Sequence, residues 1–308
     1  MKPEISVVSP VYGAEKIVDE LVRQLIDSLE QITSNYEIIL VEDGSPDNSW
    51  RKIQENCLKF KQVKGIKLSK NFGQHHAVSA GISESKGNSI VVMDCDLQDD
   101  PKDIQKLIDK TREGYDTVFT IRSKRRHPLL KRILSKLYKS LFSLLSNEEF
   151  SLLNGSLYLI NRKVADAVTD LKDKPRLMGQ VIRWVGFKVG YIEVKHKDRF
   201  EGKSSYSVEK LMNMVWDGWI SNSDKMLRIV MYLGVFISIS AFFAAILIII
   251  MKSFIDFMTG WSSIIVAILF STGLILLAQG VVGLYVGKIF EQTKERPLYI
   301  IDEKINFN

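Results

Sequence analysis

Two long runs without a charged residue constrain this chain more than any other feature of its 308 residues. Residues 229–251 and residues 261–287 contain no Asp, Glu, Lys or Arg. Each run is longer than the roughly 20 apolar residues that a helix needs to span a bilayer. We therefore predict two transmembrane helices within residues 229–287. A pair of buried core helices is the alternative, and the length of both runs disfavours it.

Basic residues flank the two runs on one predicted side of the membrane. They are Lys225 and Arg228 before the first run, and Lys288, Lys294 and Arg296 after the second. The connection between the runs carries Lys252 as its one basic residue. By the positive-inside rule, both ends of the predicted hairpin are cytoplasmic. The amino-terminal residues lack the long apolar core of a signal peptide, so we expect the preceding domain to stay in the cytosol.

Charge and cysteine content narrow the range of partners. The net charge is +6, but the basic residues crowd beside apolar ones near the predicted membrane face, which favours anionic lipid over nucleic acid. Cys57 and Cys95 lie in the predicted cytosolic part, where thiols are normally kept reduced. We expect no disulfide and no zinc site, because the pair lacks the spacing of zinc ligands.

The first half of the chain alternates strand-like and helix-like apolar patterns, which is the order of a βαβ protein. The predicted strands are residues 5–9, 38–41, 65–68 and 89–93, and the predicted helices are residues 18–32, 49–60 and 77–83. These elements predict an α/β domain with a mostly parallel sheet. Because ligands bind at the carboxyl ends of such strands, Asp43, Asp94 and Asp96 should line one crevice.

Two of these acids are separated by one residue, in Asp94-Cys95-Asp96. Paired carboxylates at a strand end can offer oxygen ligands to Mg²⁺ or Mn²⁺, and such a cation often bridges the carboxylates to phosphates. The spacing alone is a weak signal, and its position after an apolar strand gives it weight. Asp43 lies in an Asp-Gly-Ser-Pro-Asp sequence, for which a turn-forming role is the alternative.

Two amphipathic segments precede the apolar runs. Residues 122–145 carry a leucine-rich stripe between basic residues, and they are expected either to lie on the membrane surface or to pack on the sheet. Residues 208–220 contain Trp216 and Trp219, which suit a membrane interface. The predicted organisation is a catalytic domain in residues 1–203, a juxtamembrane helix in 204–228, two spans in 229–287 and a polar cytoplasmic tail in 288–308.

Short segments at the predicted strand ends resemble glycosyltransferase family two. They are residues 8–12, 41–45, 68–73 and 93–98, in the order and spacing typical of that family. More narrowly, the chain is similar to the polyprenyl-phosphate glycosyltransferases, through residues 96–99, 184–187, 199–204, 283–289 and 296–299. The resemblance implies a GT-A fold and inverting, metal-dependent sugar transfer. The implied donor is a nucleotide sugar, and the implied acceptor is polyprenyl (undecaprenyl) phosphate at the cytoplasmic face of a bacterial inner membrane.

The resemblance also implies roles for individual residues. The nucleoside-binding positions are Pro10, Tyr12 and Asp43, and those around the metal and diphosphate are Asp94, Asp96 and Gln98. The positions expected to meet the donor or lipid phosphates are Arg122, Arg132, Arg199, Lys203 and Ser204. Asp96 and Arg122 are the implied catalytic residues, since a metal-bound carboxylate and a guanidinium can neutralise charge on a departing diphosphate. A UDP-sugar is expected in preference to a GDP-sugar, and homo-oligomer formation is left open.

The chain departs from the family pattern at several positions. Gly13 and Ala14 replace the usual Asn and Glu after the first strand, which removes a nucleoside contact unless Glu15 substitutes for it. Glu42 stands where Asp is usual, and Lys203 is a stand-in for the Lys expected after Ser204. Leu153 lies where the bacterial glucosyl branch carries an Asp, so no role can be transferred to that position.

Two other functions compete with this interpretation. Residues 180–184 match the Gln-x-x-Arg-Trp motif of processive polysaccharide synthases, but two spans are fewer than those enzymes use, and short motifs match by chance often. The second is a non-catalytic nucleotide-binding scaffold, suggested by Gly13, Ala14 and Leu153. The intact Asp94-x-Asp96-x-Gln98 cluster counts against it.

Overall fold

The computed structural model describes residues 2–122, 154–171, 178–194, 225–252 and 260–307. These residues fall into two compact units. The first unit combines the described residues up to 194 with those from Arg296 onwards. The second unit contains the apolar helices between them.

The first unit is built on one eight-stranded sheet. Its strands are β1 Ile5–Val11, β2 Tyr36–Glu42, β3 Val63–Leu68, β4 Ser89–Val92, β5 Thr117–Arg122, β6 Asn154–Asn161, β7 Val189–Val194 and β8 Ile301–Ile305. Its helices are α1 Val18–Leu29, α2 Ser49–Lys59, α3 Gln74–Glu84, α4 Asp103–Arg112, α5 Arg162–Asp170 and α6 Met178–Trp184. The order across the sheet is β7-β5-β6-β4-β1-β2-β3-β8.

The four central strands, β4, β1, β2 and β3, run parallel to one another. Every residue of β1 and β2 is buried, as expected for parallel strands that are covered by helices on both faces. Side chains from α1, α2 and α4 pack on one face of the sheet. Those from α3, α5 and α6 pack on the other face. The predicted α/β fold with a mostly parallel sheet is therefore confirmed.

The outer strands change direction. β6 is antiparallel to both β4 and β5, and β7 runs parallel to β5. At the opposite edge, β8 is antiparallel to β3. The parallel centre is therefore flanked by mixed pairings on both sides.

The last strand differs from the sequence prediction, which assigned residues 288–308 to a polar tail. β8 joins the sheet, and Arg296 to the end belongs to the first unit. Residues 302–304 are charged and exposed, whereas Ile301 and Ile305 are partly buried against β3. Charged residues are common on edge strands, and here they conceal the apolar pattern of a strand.

The second unit contains the two apolar helices, α7 Lys225–Lys252 and α8 Trp261–Thr293. Within the described residues, Phe270–Thr293 is long and apolar enough to cross a membrane, and Leu227–Ile237 is a shorter apolar stretch. Large apolar side chains are exposed on both helices, including Phe236 at 69% and Phe270 at 65%. The two-span hairpin remains a prediction, and the amphipathic segments 123–145 and 208–220 lie outside the described residues.

The close packing of α3 on the sheet leads to a prediction for two helical glycines. A Cβ atom at Gly81 would collide with the Val8 side chain and crowd Val41, whereas one at Gly179 in α6 would meet nothing within 4 Å. Alanine favours a helix over glycine by about 1 kcal/mol. We expect Gly81→Ala to lower the free energy of unfolding by about 1–3 kcal/mol, as overpacking does. Gly179→Ala should leave the free energy of unfolding unchanged or raise it, and chemical denaturation of the purified protein measures both changes.

Candidate active site

The parallel register brings the carboxyl ends of the central strands together. Val11 of β1 is paired with Glu42 of β2, and the Asp43 amide donates to the Val11 carbonyl at 3.0 Å. On the other side of β1, the Met93 amide donates to the Val8 carbonyl, also at 3.0 Å. The segments that follow β1, β2 and β4 therefore lie side by side at one edge of the sheet, as predicted from the sequence.

A tight turn after β4 presents the predicted metal ligands. Leu97 has a φ of 58°, in the left-handed region that residues with a Cβ rarely adopt. One Asp96 oxygen, Oδ1, accepts a hydrogen bond from the Gln98 amide at 3.2 Å, which is the side-chain-to-backbone bond of an Asx turn. Asp94 is oriented from α3, because Gln74 Nε2 donates to Asp94 Oδ1 at 2.6 Å.

The donor set after β4 suits a cation that also binds phosphates. Within the described part of the chain, no group of three or more His, Cys, Asp or Glu side chains is arranged to hold a metal ion. Asp94 and Asp96 thus supply two carboxylates. This fits Mg²⁺, which proteins commonly hold through one or two carboxylates while substrate phosphates and water complete its octahedron.

Asp43 holds the loop between β3 and α3. Its side chain is 2% exposed, and its two oxygens accept from the Phe72 amide at 2.7 Å and the Gly73 amide at 2.9 Å. Burial raises the pKa of the Asp43 carboxyl, the two amides oppose that rise, and the neighbouring Glu42 adds to it. These contacts are with the protein's own backbone, whereas the predicted contact with a nucleoside remains a prediction.

The loops after β1 and β2 are joined by polar side chains. The Gly13 amide donates to Ser45 Oγ at 3.2 Å, and the Ala14 amide donates to Ser49 Oγ at 2.9 Å. Glu42 Oε1 accepts from the Ser45 amide and so closes the turn that follows β2. The residues at positions 13 and 14 therefore contribute backbone donors to loop structure.

Glu15 is the residue that would have to substitute if the nucleoside contact missing at positions 13 and 14 is to be kept. Its carboxylate accepts from the Asn48 side-chain amide at 3.1 Å and from the Asn48 backbone amide at 3.3 Å. Its own amide donates to Asp47 Oδ2 at 3.1 Å. In this structure Glu15 connects the two loops.

Pro10 and Tyr12 lie at the end of β1. Pro10 is buried and paired with Val41, so it belongs to the sheet itself, directly beneath the loops that follow β1 and β2. Tyr12 follows the strand with 55% of its surface exposed. An exposed ring at this position offers a face for stacking against a planar base.

The predicted basic residues are described only in part. Arg122 is the last residue of β5, where it pairs with Val194 of β7, and its side chain is outside the described structure. Arg132, Arg199, Lys203 and Ser204 lie outside the described residues altogether. Their predicted contacts with phosphates stay predictions.

Two residues near Asp94 were not found from the sequence. Gln74 reaches it from the first residue of α3, and Tyr158 of β6 is paired with Val92 at the end of β4. Burial raises the pKa of Tyr158, and the charge of Asp94 adds to the increase. Neither residue lies in a helix or strand predicted from the sequence, and both contacts arise from the tertiary arrangement.

The Gln-x-x-Arg-Trp segment lies on α6. The guanidinium carbon of Arg183 is 5.5 Å from the centre of the Phe119 ring, and Phe119 is 1% exposed. This cation–π contact gives Arg183 a packing role between α6 and β5. Trp184 is 67% exposed.

The fold, and the sequence motifs at the carboxyl ends of its central strands, agree with comparisons to known proteins. Residues 6–169 match the Glycosyl transferase family 2 domain, and the chain belongs to that family. It is 36% identical to the uncharacterized glycosyltransferase YkcC of Bacillus subtilis (strain 168), over 97% of this chain and 94% of that protein. It is 30% identical to the undecaprenyl-phosphate 4-deoxy-4-formamido-L-arabinose transferase of Proteus mirabilis (strain HI4320), over 98% and 94%.

These relatives confirm the resemblance stated from the motifs, and the chain is a glycosyltransferase. Solved structures share its GT-A fold. One is a mannosyltransferase from Pyrobaculum calidifontis in complex with GDP-Man and Mn²⁺, with TM-score 0.50, 13% identity and coverage of 74% of this chain and 65% of that one. Another is glucosyl-3-phosphoglycerate synthase from Mycobacterium tuberculosis in complex with Mn²⁺ and UDP-glucose, with TM-score 0.50, 16% identity and coverage of 71% and 77%.

The contacts of Asp43 predict a loss of stability when its carboxylate is removed. Asp43→Ala leaves the Phe72 and Gly73 amides without the buried carboxylate that accepts from them, which should lower the free energy of unfolding by about 1–3 kcal/mol. Asp302→Ala is the matched control, because it removes an exposed carboxylate that is 3.4 Å from Lys67 and should cost under about 1 kcal/mol. Equal losses in the two variants, measured by denaturant unfolding, would contradict the assigned role.

Proposed function

We propose that this glycosyltransferase moves a sugar from a nucleotide sugar to polyprenyl phosphate, in bacteria undecaprenyl phosphate, at the cytoplasmic face of the membrane. The observation that carries the proposal is the full-length similarity to a transferase named for undecaprenyl phosphate. A similarity covering 98% of this chain includes the apolar helices as well as the family domain. The acceptor is therefore assigned on more than the shared GT-A domain.

Exposed apolar helices support a membrane location. The apolar side chains of α7 and α8 are left uncovered by the described protein, and burying them in lipid removes that surface from water. The basic residues that flank the helices orient both ends toward the cytoplasm under the positive-inside rule. We propose a two-span anchor in the inner membrane, with the sheet domain in the cytoplasm and with homo-oligomer formation left open.

The donor is proposed to bind at the carboxyl edge of the sheet. Tyr12 would stack on the base, with Pro10 and Asp43 beside the nucleoside, and a UDP-sugar is preferred to a GDP-sugar. Asp94 and Asp96, with Gln98, would hold Mg²⁺ or Mn²⁺ against the diphosphate. Such an ion, when bound, neutralises negative charge on the departing nucleoside diphosphate.

The reaction proposed is a single displacement at the anomeric carbon. An oxygen of the lipid phosphate forms a bond to the anomeric carbon while the bond from that carbon to the donor diphosphate oxygen breaks. This displacement inverts the configuration at the anomeric carbon. A phosphate monoester is already largely anionic near pH 7, so the acceptor needs no dedicated general base. This is compatible with Leu153 in place of an acid. We propose that basic and hydroxyl side chains bind the donor and lipid phosphates. They are Arg122 and, outside the described residues, Arg132, Arg199, Lys203 and Ser204.

Removing the Asp96 carboxylate should abolish transfer. We expect Asp96→Ala to reduce the incorporation of radiolabelled sugar into polyprenyl phosphate by at least about 100-fold, in line with the loss of one strong electrostatic contact in a transition state. Asp109→Ala is the control, because Asp109 is an exposed residue of α4 that pairs with Arg112. Undiminished turnover in Asp96→Ala would contradict the metal assignment.

The product distinguishes this function from its competitors. Labelled product should extract into organic solvent as a glycolipid, and each lipid should carry one sugar. Water-soluble or insoluble polymer would indicate a processive synthase. Failure to form any product with UDP- or GDP-sugars, together with Mn²⁺-independent nucleotide binding, would favour a scaffold. A thermal-stabilisation screen of nucleotide sugars with Mn²⁺ identifies the donor, because a ligand that binds the folded state raises Tm.

A further inference from the structure

The residues that follow the last apolar helix pack against the sheet domain next to the proposed donor site. We call the carboxyl ends of β1, β2 and β4, where that site lies, the donor edge of the sheet. Residues 294–300 join the end of α8 to β8. We call residues 296–307 the C-terminal segment; they belong to the first unit. This segment contacts β3, the loop after β3 and the last turn of α3.

The contact with β3 extends into the loop that Asp43 holds. β8 pairs with β3, and the register shifts between Lys67 and Leu68, where the strand ends. Immediately beyond, the Ser69 amide donates to the Ile300 carbonyl at 2.9 Å. The first residue of the β3–α3 loop, residues 69–73, is therefore fixed by the C-terminal segment.

The contact with α3 is made by side chains at its last turn. The Tyr299 and Ser83 hydroxyls are 2.7 Å apart, and Lys304 Nζ lies 2.5 Å from Glu84 Oε1. The first residue of the same helix, Gln74, donates to Asp94. A helix of 11 residues is about 16 Å long at 1.5 Å per residue. α3 thus connects the C-terminal segment to a proposed metal ligand.

The β3–α3 loop has little room to adjust between these attachments. Both oxygens of Asp43 accept from its Phe72 and Gly73 amides. A Cβ atom at Gly44 would collide with the backbone of Lys70 and Asn71, so the loop after β2 lies directly against it. Movement at either end of the loop must therefore displace groups at the donor edge.

We propose that the C-terminal segment is a positioning element of the donor site. Through Ile300 and Tyr299 it sets the β3–α3 loop and the α3 helix, and through Gln74 it sets the Asp94 carboxylate. Two residues separate the start of the segment from the end of the apolar helix α8, so the donor site depends on residues that closely follow the proposed membrane anchor in the chain. The effect on donor binding rests on the proposed function, whereas the effect on loop order does not.

Hydrogen exchange on the full-length protein tests the loop directly. Tyr299→Phe removes the hydroxyl that reaches Ser83 and keeps the ring. We expect exchange at the Phe72 and Gly73 amides to quicken about two- to tenfold, the factor expected for one lost side-chain hydrogen bond. Tyr36→Phe is the matched control, because it removes a hydroxyl that accepts from Gln62 at 3.2 Å, at the first residue of β2 and outside the C-terminal segment. Unchanged exchange at the loop amides in Tyr299→Phe would overturn the proposal. If Tyr299→Phe does not fold, Ser83→Ala is tested in its place, because it removes the same hydrogen bond.

Nucleotide affinity separates positioning from general stability. We expect Tyr299→Phe to weaken binding of UDP with Mn²⁺ by about two- to tenfold, whereas Tyr36→Phe keeps wild-type affinity even if both variants lower Tm equally. Wild-type affinity in a Tyr299→Phe variant with a lowered Tm would show a merely structural contact and overturn the proposal. If the wild-type protein binds neither UDP nor GDP with Mn²⁺, the proposed function fails, and the exchange experiment alone decides the role of the segment.

Discussion

The parallel hydrogen bonding of β1 with β2 and with β4 is the constraint on which the candidate site depends. It sets Val11 beside Glu42 and Val8 beside Val92. The carboxyl ends of three neighbouring strands, β4, β1 and β2, therefore lie on the same side of the sheet. Strands lie about 4.8 Å apart, which brings residues from distant parts of the sequence within reach of one small ligand. Helices on both faces cover the central strands.

Much of the polar chemistry at this edge maintains the loops. Asp43 and Glu42 accept backbone hydrogen bonds, and Glu15 connects two turns. Buried acceptors of this kind keep backbone amides satisfied. The side chains best placed to meet a ligand are therefore the exposed ring of Tyr12 and the paired carboxylates after β4. The division explains how the chain tolerates Gly13 and Ala14, since those positions contribute backbone donors to the loops.

The sequence predicted the four central strands, β1 to β4, because strands buried on both faces read as continuous apolar runs, as in β1 and β2. No strand was predicted over β5, β6 or β7. The clustering of Asp43 and Asp94 followed from the same rule, since parallel strands end together. β8 was missed because three of its five residues are charged. Gln74 and Tyr158 were missed because a local pattern does not specify which side chains meet across different elements. The basic residues expected to bind phosphates remain predictions carried by the family resemblance.

We propose that Asp94 and Asp96 hold a divalent cation against a nucleoside diphosphate, and the chemistry of the site depends on that ion. The most direct test is anomalous diffraction at the manganese edge from crystals of the full-length protein soaked with Mn²⁺ and UDP. We expect one strong peak at the carboxyl ends of the central strands, within coordination distance of both carboxylates and of the diphosphate. A peak at other residues, or UDP bound at this edge without manganese beside these two acids, would contradict it.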